Sequence, residues 1–148
     1  MDEQDWLKLD AQLCFRLYAA SRVVTRCYQP LLAGLALTYP QYLVMLVLWE
    51  QHQAQEAAPT VKALGARLML DSGTLTPLLK RLEQSGLIQR ERRAQDEREV
   101  SIVLTGAGVA LRERAVAVPP ALVSKLGLSL DEVVALRTTL DKLLAEAS

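Results

Sequence analysis

Asp71-Ser-Gly-Thr-Leu-Thr-Pro-Leu-Leu-Lys-Arg-Leu-Glu83, followed by Gly86-Leu87 and then Arg90-Glu-Arg-Arg-Ala-Gln-Asp-Glu-Arg98, decides the fold of this 148-residue chain. Asp71 and Ser72 are turn and cap residues, and the spacing predicts a helix from about Gly73 to Ser85, closed by Gly86 as a left-handed terminator. Just upstream, Thr60 caps a short helix ending near Leu68. Two helices around a short turn, the second with a polar exposed face, form a helix-turn-helix. After Gly86 the period changes. Leu87 to Arg90 and Val100 to Leu104 are β-prone, with Val100, Ile102 and Leu104 on one face of the second strand. Arg93 to Arg98, polar apart from Ala94, reads as the tip of a hairpin. A hairpin placed directly after such a helix pair is a wing.

Towards the N-terminus, residues 7 to about 28 carry no Pro or Gly and read as one long helix, with Leu9, Leu13, Leu17 and Val24 near helical spacing. Pro30 and Gly34 interrupt that pattern, so Leu31 to Leu37 is a helical turn or linker. Thr38-Tyr-Pro-Gln41 then opens a helix with a capping box and a proline in its first turn. This helix runs to about Gln53 and is apolar nearly all round over Tyr42 to Trp49, which predicts burial. Ala54 to Pro59 is a loop. Towards the C-terminus, Thr105-Gly106 starts a helix to Val118, stopped by Pro119-Pro120. Ser129-Leu-Asp-Glu132 is a second capping box, and the last helix reaches about Ala145. Its Val133, Leu136, Leu140 and Leu143 have the 3-4-3 spacing of an a/d seam. Such a stripe is either core or a dimer seam; no long helix besides the first remains free to cover it. The expected architecture is mainly α, one domain over 1–148, with a winged helix-turn-helix over about 38–105 and dimerisation helices over about 7–37 and 106–146.

Composition narrows the function. Charges balance at 17 basic and 17 acidic residues, which argues against a generic polyanion binder, while 60–100 holds eight bases against six acids. The longest apolar run, Leu43 to Trp49, falls far short of the roughly 20 residues needed to span a bilayer. The opening Met1-Asp-Glu-Gln-Asp5 is acidic, unlike a secretory signal. A cytoplasmic protein without membrane association is expected. Two cysteines and one histidine cannot supply a four-ligand Cys/His zinc site, and no cofactor is implied. A disulfide is unfavoured in a reducing compartment. Each cysteine is therefore either redox-active or a small buried hydrophobe.

Ser72, Thr74, Thr76, Lys80 and Arg81 lie on or near the exposed face of the second helix of the pair, where hydroxyls and bases reach base edges and phosphates in a major groove. Arg90, Arg92, Arg93 and Arg98 sit on the hairpin, whose width suits a minor groove and flanking phosphates. Singly, each is as well read as a solvated charge; in this order they point to double-stranded DNA. The stretch Asp71–Glu83, Gly86-Leu87, Asp96-Glu97-Arg98 and Leu104-Thr105-x-x-Gly108 resembles the MarR family of dimeric winged-helix repressors, over nearly the whole chain. The resemblance implies that Asp96 and Arg98 belong to the wing. It also implies that the N- and C-terminal helices intertwine as a homodimer.

Leu13-Cys-Phe-Arg-Leu-Tyr-Ala-Ala-Ser-Arg22, Tyr28-x-Pro-Leu-Leu32 and Leu37-Thr-Tyr-Pro-Gln-Tyr-Leu43 resemble the organic-hydroperoxide-sensing branch of that family. That resemblance implies that Cys14 is the peroxidatic thiol and that Tyr18, Tyr28 and Tyr39 surround it. Helical geometry agrees: at 100° per residue Tyr18 and Tyr28 each fall about 40° from Cys14. A place in the early turns of a helix favours a thiolate, and a thiolate attacks a peroxide to give a sulfenic acid. Cys27 lies about 20 Å along the same helix, beyond the roughly 7 Å that a disulfide allows. Two-cysteine members carry a resolving thiol near the C-terminus of the partner subunit. Lys125 to Asp131 has none, so the chain resembles the one-cysteine type, capped by a small thiol. Two rival readings are a repressor governed by a small aromatic ligand and a thiol peroxidase; the first reading is not an enzyme. His52, Trp6 and Trp49 read as surface or packing residues.

Overall fold

Why the chain breaks where it does is visible in the computed structural model, which describes residues 3–96 and 98–147. Met1 and Asp2 of the acidic opening, Glu97 of the hairpin tip and Ser148 lie outside the described residues. Two 3₁₀ turns, Glu3–Leu7 and Leu9–Ala11, precede α1 (Leu13–Ala33) and α2 (Tyr39–Gln53). Then come α3 (Val61–Leu68), α4 (Ser72–Gln84), β1 (Ile88–Arg92) and β2 (Val100–Leu104), followed by α5 (Gly106–Ala115), α6 (Val118–Leu126) and α7 (Leu130–Ala147).

The caps are where the side-chain chemistry placed them. Thr38 Oγ1 accepts from Gln41 N at 3.4 Å and Gln41 Oε1 from Thr38 N at 2.9 Å, closing the capping box of α2. Ser129 and Glu132 do the same for α7, at 3.1 and 2.8 Å. Thr60 caps α3, Asp71 caps α4 and Thr105 caps α5. Gly86 ends α4 at φ +80°, a backbone region that glycine enters without steric cost.

Two expectations are corrected. The first helix starts at Leu13, not near residue 7, and runs through Pro30 to Ala33. Pro30 lacks the N–H that would bond the Arg26 carbonyl, yet the helix continues past it to Leu32, which is fully buried. Pro119 and Pro120 do more than stop a helix. α5 ends at Ala115, and the prolines occupy the first turn of α6, where an N–H would have no intrahelical partner.

By packing, the chain divides into two units, Leu32–Val116 and the combination of residues before and after it. The central unit is a winged helix built around α2, whose Tyr42, Val44, Met45, Val47, Leu48 and Trp49 are all buried. Leu64 of α3 and Leu75, Leu79 and Leu82 of α4 complete its core with Ile88 and Ile102 of the hairpin. β1 and β2 pair antiparallel, with Ile88 opposite Leu104 and Arg92 opposite Val100. α5 belongs to this unit: Trp49 Nε1 donates to the Gly108 carbonyl at 2.8 Å. The other unit contains most of α1 with α6 and α7. It leaves a large apolar surface open: Leu13, Phe15, Tyr18 and Val23 on α1, and Leu130, Val134, Leu136, Leu143 and Leu144 on α7. Of the proposed seam, Leu136 and Leu143 are exposed, while Val133 and Leu140 are half-buried. Among the described residues no helix is long and apolar enough to cross a membrane.

Candidate nucleic-acid interface and thiol site

α4 is amphipathic because its leucines recur at helical spacing. Leu75, Leu79 and Leu82 are buried, and Ser72, Thr74, Thr76, Lys80 and Arg81 are exposed. At 100° per residue, Ser72, Thr76 and Lys80 follow one another within 80°, while Thr74 and Arg81 lie together on the opposite flank of the exposed face. Asp71 Oδ1 accepts from Thr74 N at 2.7 Å, holding the N-terminal turn in shape. Those hydrogen bonds keep the Asp71 carboxyl below its ordinary pKa.

The wing arginines divide into two kinds. Arg90 is tied to α4: Glu83 Oε2 accepts from Arg90 N at 2.8 Å, and Oε1 accepts from Nε and Nη2 at 3.2 and 3.0 Å. Arg93 is tied to the second strand and to the loop 54–59. Its Nε donates to Ser101 Oγ at 2.8 Å, its Nη2 to the Ala58 carbonyl at 3.2 Å, and its Nη1 lies 3.5 Å from Glu99. Arg92 and Arg98 are exposed, and neither side chain has a partner among the described residues. Asp96 shapes the tip, its Oδ1 accepting from Arg98 N at 3.0 Å. A groove of about 350 Å³ runs between α3, α4 and the wing, bringing Thr76, Arg98 and Lys62 together. Sequence reasoning missed Lys62; the signal was its position in the first turn of α3, adjoining the cap Thr60. It also missed that Glu83 and Ser101 would occupy two of the four wing arginines, because those pairings cross between elements.

The thiol candidates lie on α1. Cys14 is its second residue and is exposed. Tyr18, one turn on, is 62% exposed, and the Arg22 guanidinium sits 5.5 Å from its ring centroid, a cation–π contact. Arg16 reaches back to the Asp10 and Gln12 carbonyls, anchoring the turns that lead into the helix. Tyr28 and Cys27 are half-buried further along α1. Tyr39 begins α2 in the other unit, its ring 6.5 Å from that of Tyr42. Burial raises the pKa of both phenols. Among the described residues no cluster of His, Cys, Asp or Glu could hold a metal ion.

Comparison with known proteins places these features. Residues 26–114 match the family model described as transcriptional regulator SarA/Rot. The organic hydroperoxide resistance transcriptional regulator of Bacillus subtilis is 54% identical over 125 residues, 84% of this chain and 80% of that one. Reduced AbfR bound to DNA superposes with a TM-score of 0.77 at 40% identity, covering 99% of both chains; AbfR comes from Staphylococcus epidermidis. Its disulfide-formed state gives 0.64 at 40% identity over 96% of each chain. A mutant of MarR from E. coli, complexed with operator DNA, gives 0.78 at 27% identity over 97% of this chain and 99% of that one.

Proposed function

The chain belongs to the MarR family of winged helix-turn-helix transcriptional regulators, and we propose that within it this protein is a redox-sensing repressor. It binds double-stranded operator DNA as a homodimer while Cys14 is a thiol, and releases it once an organic hydroperoxide has oxidised Cys14. The observation that carries this reading is an exposed cysteine in the first turn of α1, one turn from Tyr18, in a chain so similar to an organic hydroperoxide resistance regulator.

On the DNA side, α4 enters the major groove with Thr76 and Lys80 foremost and Ser72, Thr74 and Arg81 at the flanks. Arg92 and Arg98 of the wing reach phosphates or the minor groove. Arg90, Arg93 and Asp96 act indirectly, by fixing the wing to α4, to the loop 54–59 and at its own tip. The dimer forms through α1 and α7, whose exposed leucines are too extensive for an isolated surface. The winged helix over about 38–105 carries the DNA contacts, with α5 packed onto it.

On the sensing side, the Cys14 thiolate attacks the distal peroxide oxygen. An S–O bond forms, the O–O bond breaks, and the departing alkoxide takes a proton to leave as an alcohol. The sulfenic acid then condenses with a small thiol, giving a mixed disulfide and water. Tyr18 lies one helical turn from the thiol, whereas Tyr28, about 21 Å along the same helix, reaches it only from the partner subunit, and Tyr39 belongs to the other unit. Cys27 lies about 20 Å along the same helix and cannot act within one subunit. A change at Cys14 alters the spacing of two recognition helices that must match half-sites about one DNA turn apart.

The test is a DNA-shift assay on the protein's own upstream region, with and without cumene hydroperoxide. Release in the native protein and retention in Cys14→Ser is the expected result. Release that persists in Cys14→Ser would support control by a small ligand instead. Sustained peroxide turnover without any operator affinity would support the thiol peroxidase.

A further inference from the structure

The part of α4 turned most directly away from its own core carries neither charge nor hydroxyl. At 100° per residue, the direction opposite the row Leu75, Leu79 and Leu82 falls about 15° from Pro77 and about 30° from Gly73, with Lys80 to one side and Arg81 to the other. Gly73 and Pro77 are both exposed. Both also weaken the helix they stand in, since glycine is a poorer helix former than alanine and proline far poorer. Pro77 lies in the second turn of α4, past the amides that any helix leaves free. It therefore removes a bond from the ladder, having no N–H to offer the Gly73 carbonyl.

Packing within the protein does not account for that cost. Gly86 and Gly127 have positive φ, and a Cβ on Gly65 would press to 2.9 Å on the Leu70 carbonyl. Gly73 has neither reason. Its φ is not positive, and a Cβ there would meet Asp71 Oδ1 at 3.6 Å, an ordinary van der Waals distance. The reason lies outside the chain. On a helix entering a major groove, a residue without a side chain lets the backbone close on the base edges. A ring of methylenes beside it offers no hydrogen bond, only a surface for an apolar group, and the base that presents such a group in that groove is thymine, through its C5-methyl. We propose that Gly73 and Pro77 form the seat of one thymine methyl in each operator half-site. Gly73 permits the close approach and Pro77 covers the methyl, while Thr76 and Lys80 on one side and Thr74 and Arg81 on the other make the polar contacts. This seat presupposes the DNA-binding reading above and names the base that the middle of α4 reads.

Reduced full-length protein is titrated with duplex DNA of its own upstream region, amplified once with thymidine and once with deoxyuridine, which pairs identically and lacks only the methyl. One methyl withdrawn from an apolar contact changes affinity about fourfold, so a dimer on two half-sites should bind the deoxyuridine duplex about fifteenfold more weakly. Pro77→Ala should lose affinity for the thymidine duplex and bring that preference down to about twofold, because most of the apolar cover is gone. Gly73→Ala should weaken binding of both duplexes, since its Cβ stands between the backbone and the bases. Both variants should melt at or above the native temperature, alanine being the better helix former at each position. Equal binding of the two duplexes by the native protein, a preference that survives Pro77→Ala, or native affinity in Gly73→Ala overturns the seat. A lowered melting temperature in either variant assigns that residue to the fold and overturns it as well. Native protein that binds neither duplex refutes the DNA-binding reading, and the seat with it.

Discussion

Glu83, the penultimate residue of α4, holds Arg90 of β1 at three points, with both carboxylate oxygens engaged at 2.8 to 3.2 Å. One donor is the Arg90 backbone and two are its guanidinium, so the first strand of the wing is fixed both in position and in direction relative to the helix. Charge-assisted pairs of this forked kind set geometry as well as energy. The wing of this protein is therefore an extension of α4.

Glu83→Gln should uncouple the two. A few-fold loss of operator affinity is expected with a small drop in melting temperature at neutral pH, where the ionised pair adds stability, read by fluorescence anisotropy and calorimetry. Acid makes the sign testable. Arg90 holds the Glu83 carboxyl below its ordinary value of 4.5. A carboxyl whose folded pKa is depressed adds stability above its unfolded value and loses it as pH falls through the folded one. Melting temperature should thus fall more steeply below pH 4.5 in the native protein than in Glu83→Gln. Parallel curves would show that the pair is not maintained in solution.

Arg93 and Arg98 should part company on replacement by alanine. Arg98, exposed at the wing tip, is expected to contribute one phosphate contact per protomer, so its loss from both halves of the dimer lowers the salt slope of operator binding by about 1.8. Arg93 is occupied by Ser101 and Ala58, so its loss should weaken binding and leave the slope nearly unchanged. Equal drops in slope for both would place Arg93 on the DNA as well.

Gly108→Ala should be among the most damaging single-methyl additions in the chain. A Cβ there would run into the Leu87 carbonyl oxygen, and backbone cannot swing aside as a flexible side chain does. The same residue accepts the buried Trp49 indole and donates its N–H to Thr105 Oγ1 at 3.1 Å. Overpacking alone costs about 1–3 kcal/mol, so denaturant unfolding should show at least that loss. A variant of native stability would mean that α5 can shift away from the strand at little cost.

The fate of oxidised Cys14 is read by mass. Treated with hydroperoxide and a small thiol, each subunit should gain one thiol adduct on Cys14, and Cys27→Ser should behave identically. Without added thiol, the protein should remain at monomer mass on a denaturing, non-reducing gel. A dimer band that disappears in Cys27→Ser would make Cys27 of the partner a resolving thiol and end the one-cysteine assignment.

Local chemistry was legible in the sequence wherever a residue's partner lies within one helical turn. Thr38 with Gln41, Ser129 with Glu132, Asp71 with Thr74 and the left-handed Gly86 were all readable, because caps and turns are decided by neighbours three or four positions apart. So was the order helix, helix, hairpin, which rests on a change of apolar period. Prolines were misread because their effect depends on position: Pro30 is carried in the last turn of a helix anchored by Leu32, and Pro119 and Pro120 begin a helix where a missing N–H is harmless. What only the tertiary structure decided is which of several chemically equal arginines are free. Arg90, Arg92, Arg93 and Arg98 look alike in sequence. Glu83 claims the first across the gap between helix and strand, Ser101 and the Ala58 carbonyl claim the third across 8 and 35 residues, and the other two remain exposed. Those pairings depend on where separate elements meet in space, and that is set by burial of Leu75, Leu79, Leu82, Ile88 and Ile102 in one core, not by anything within reach along the chain.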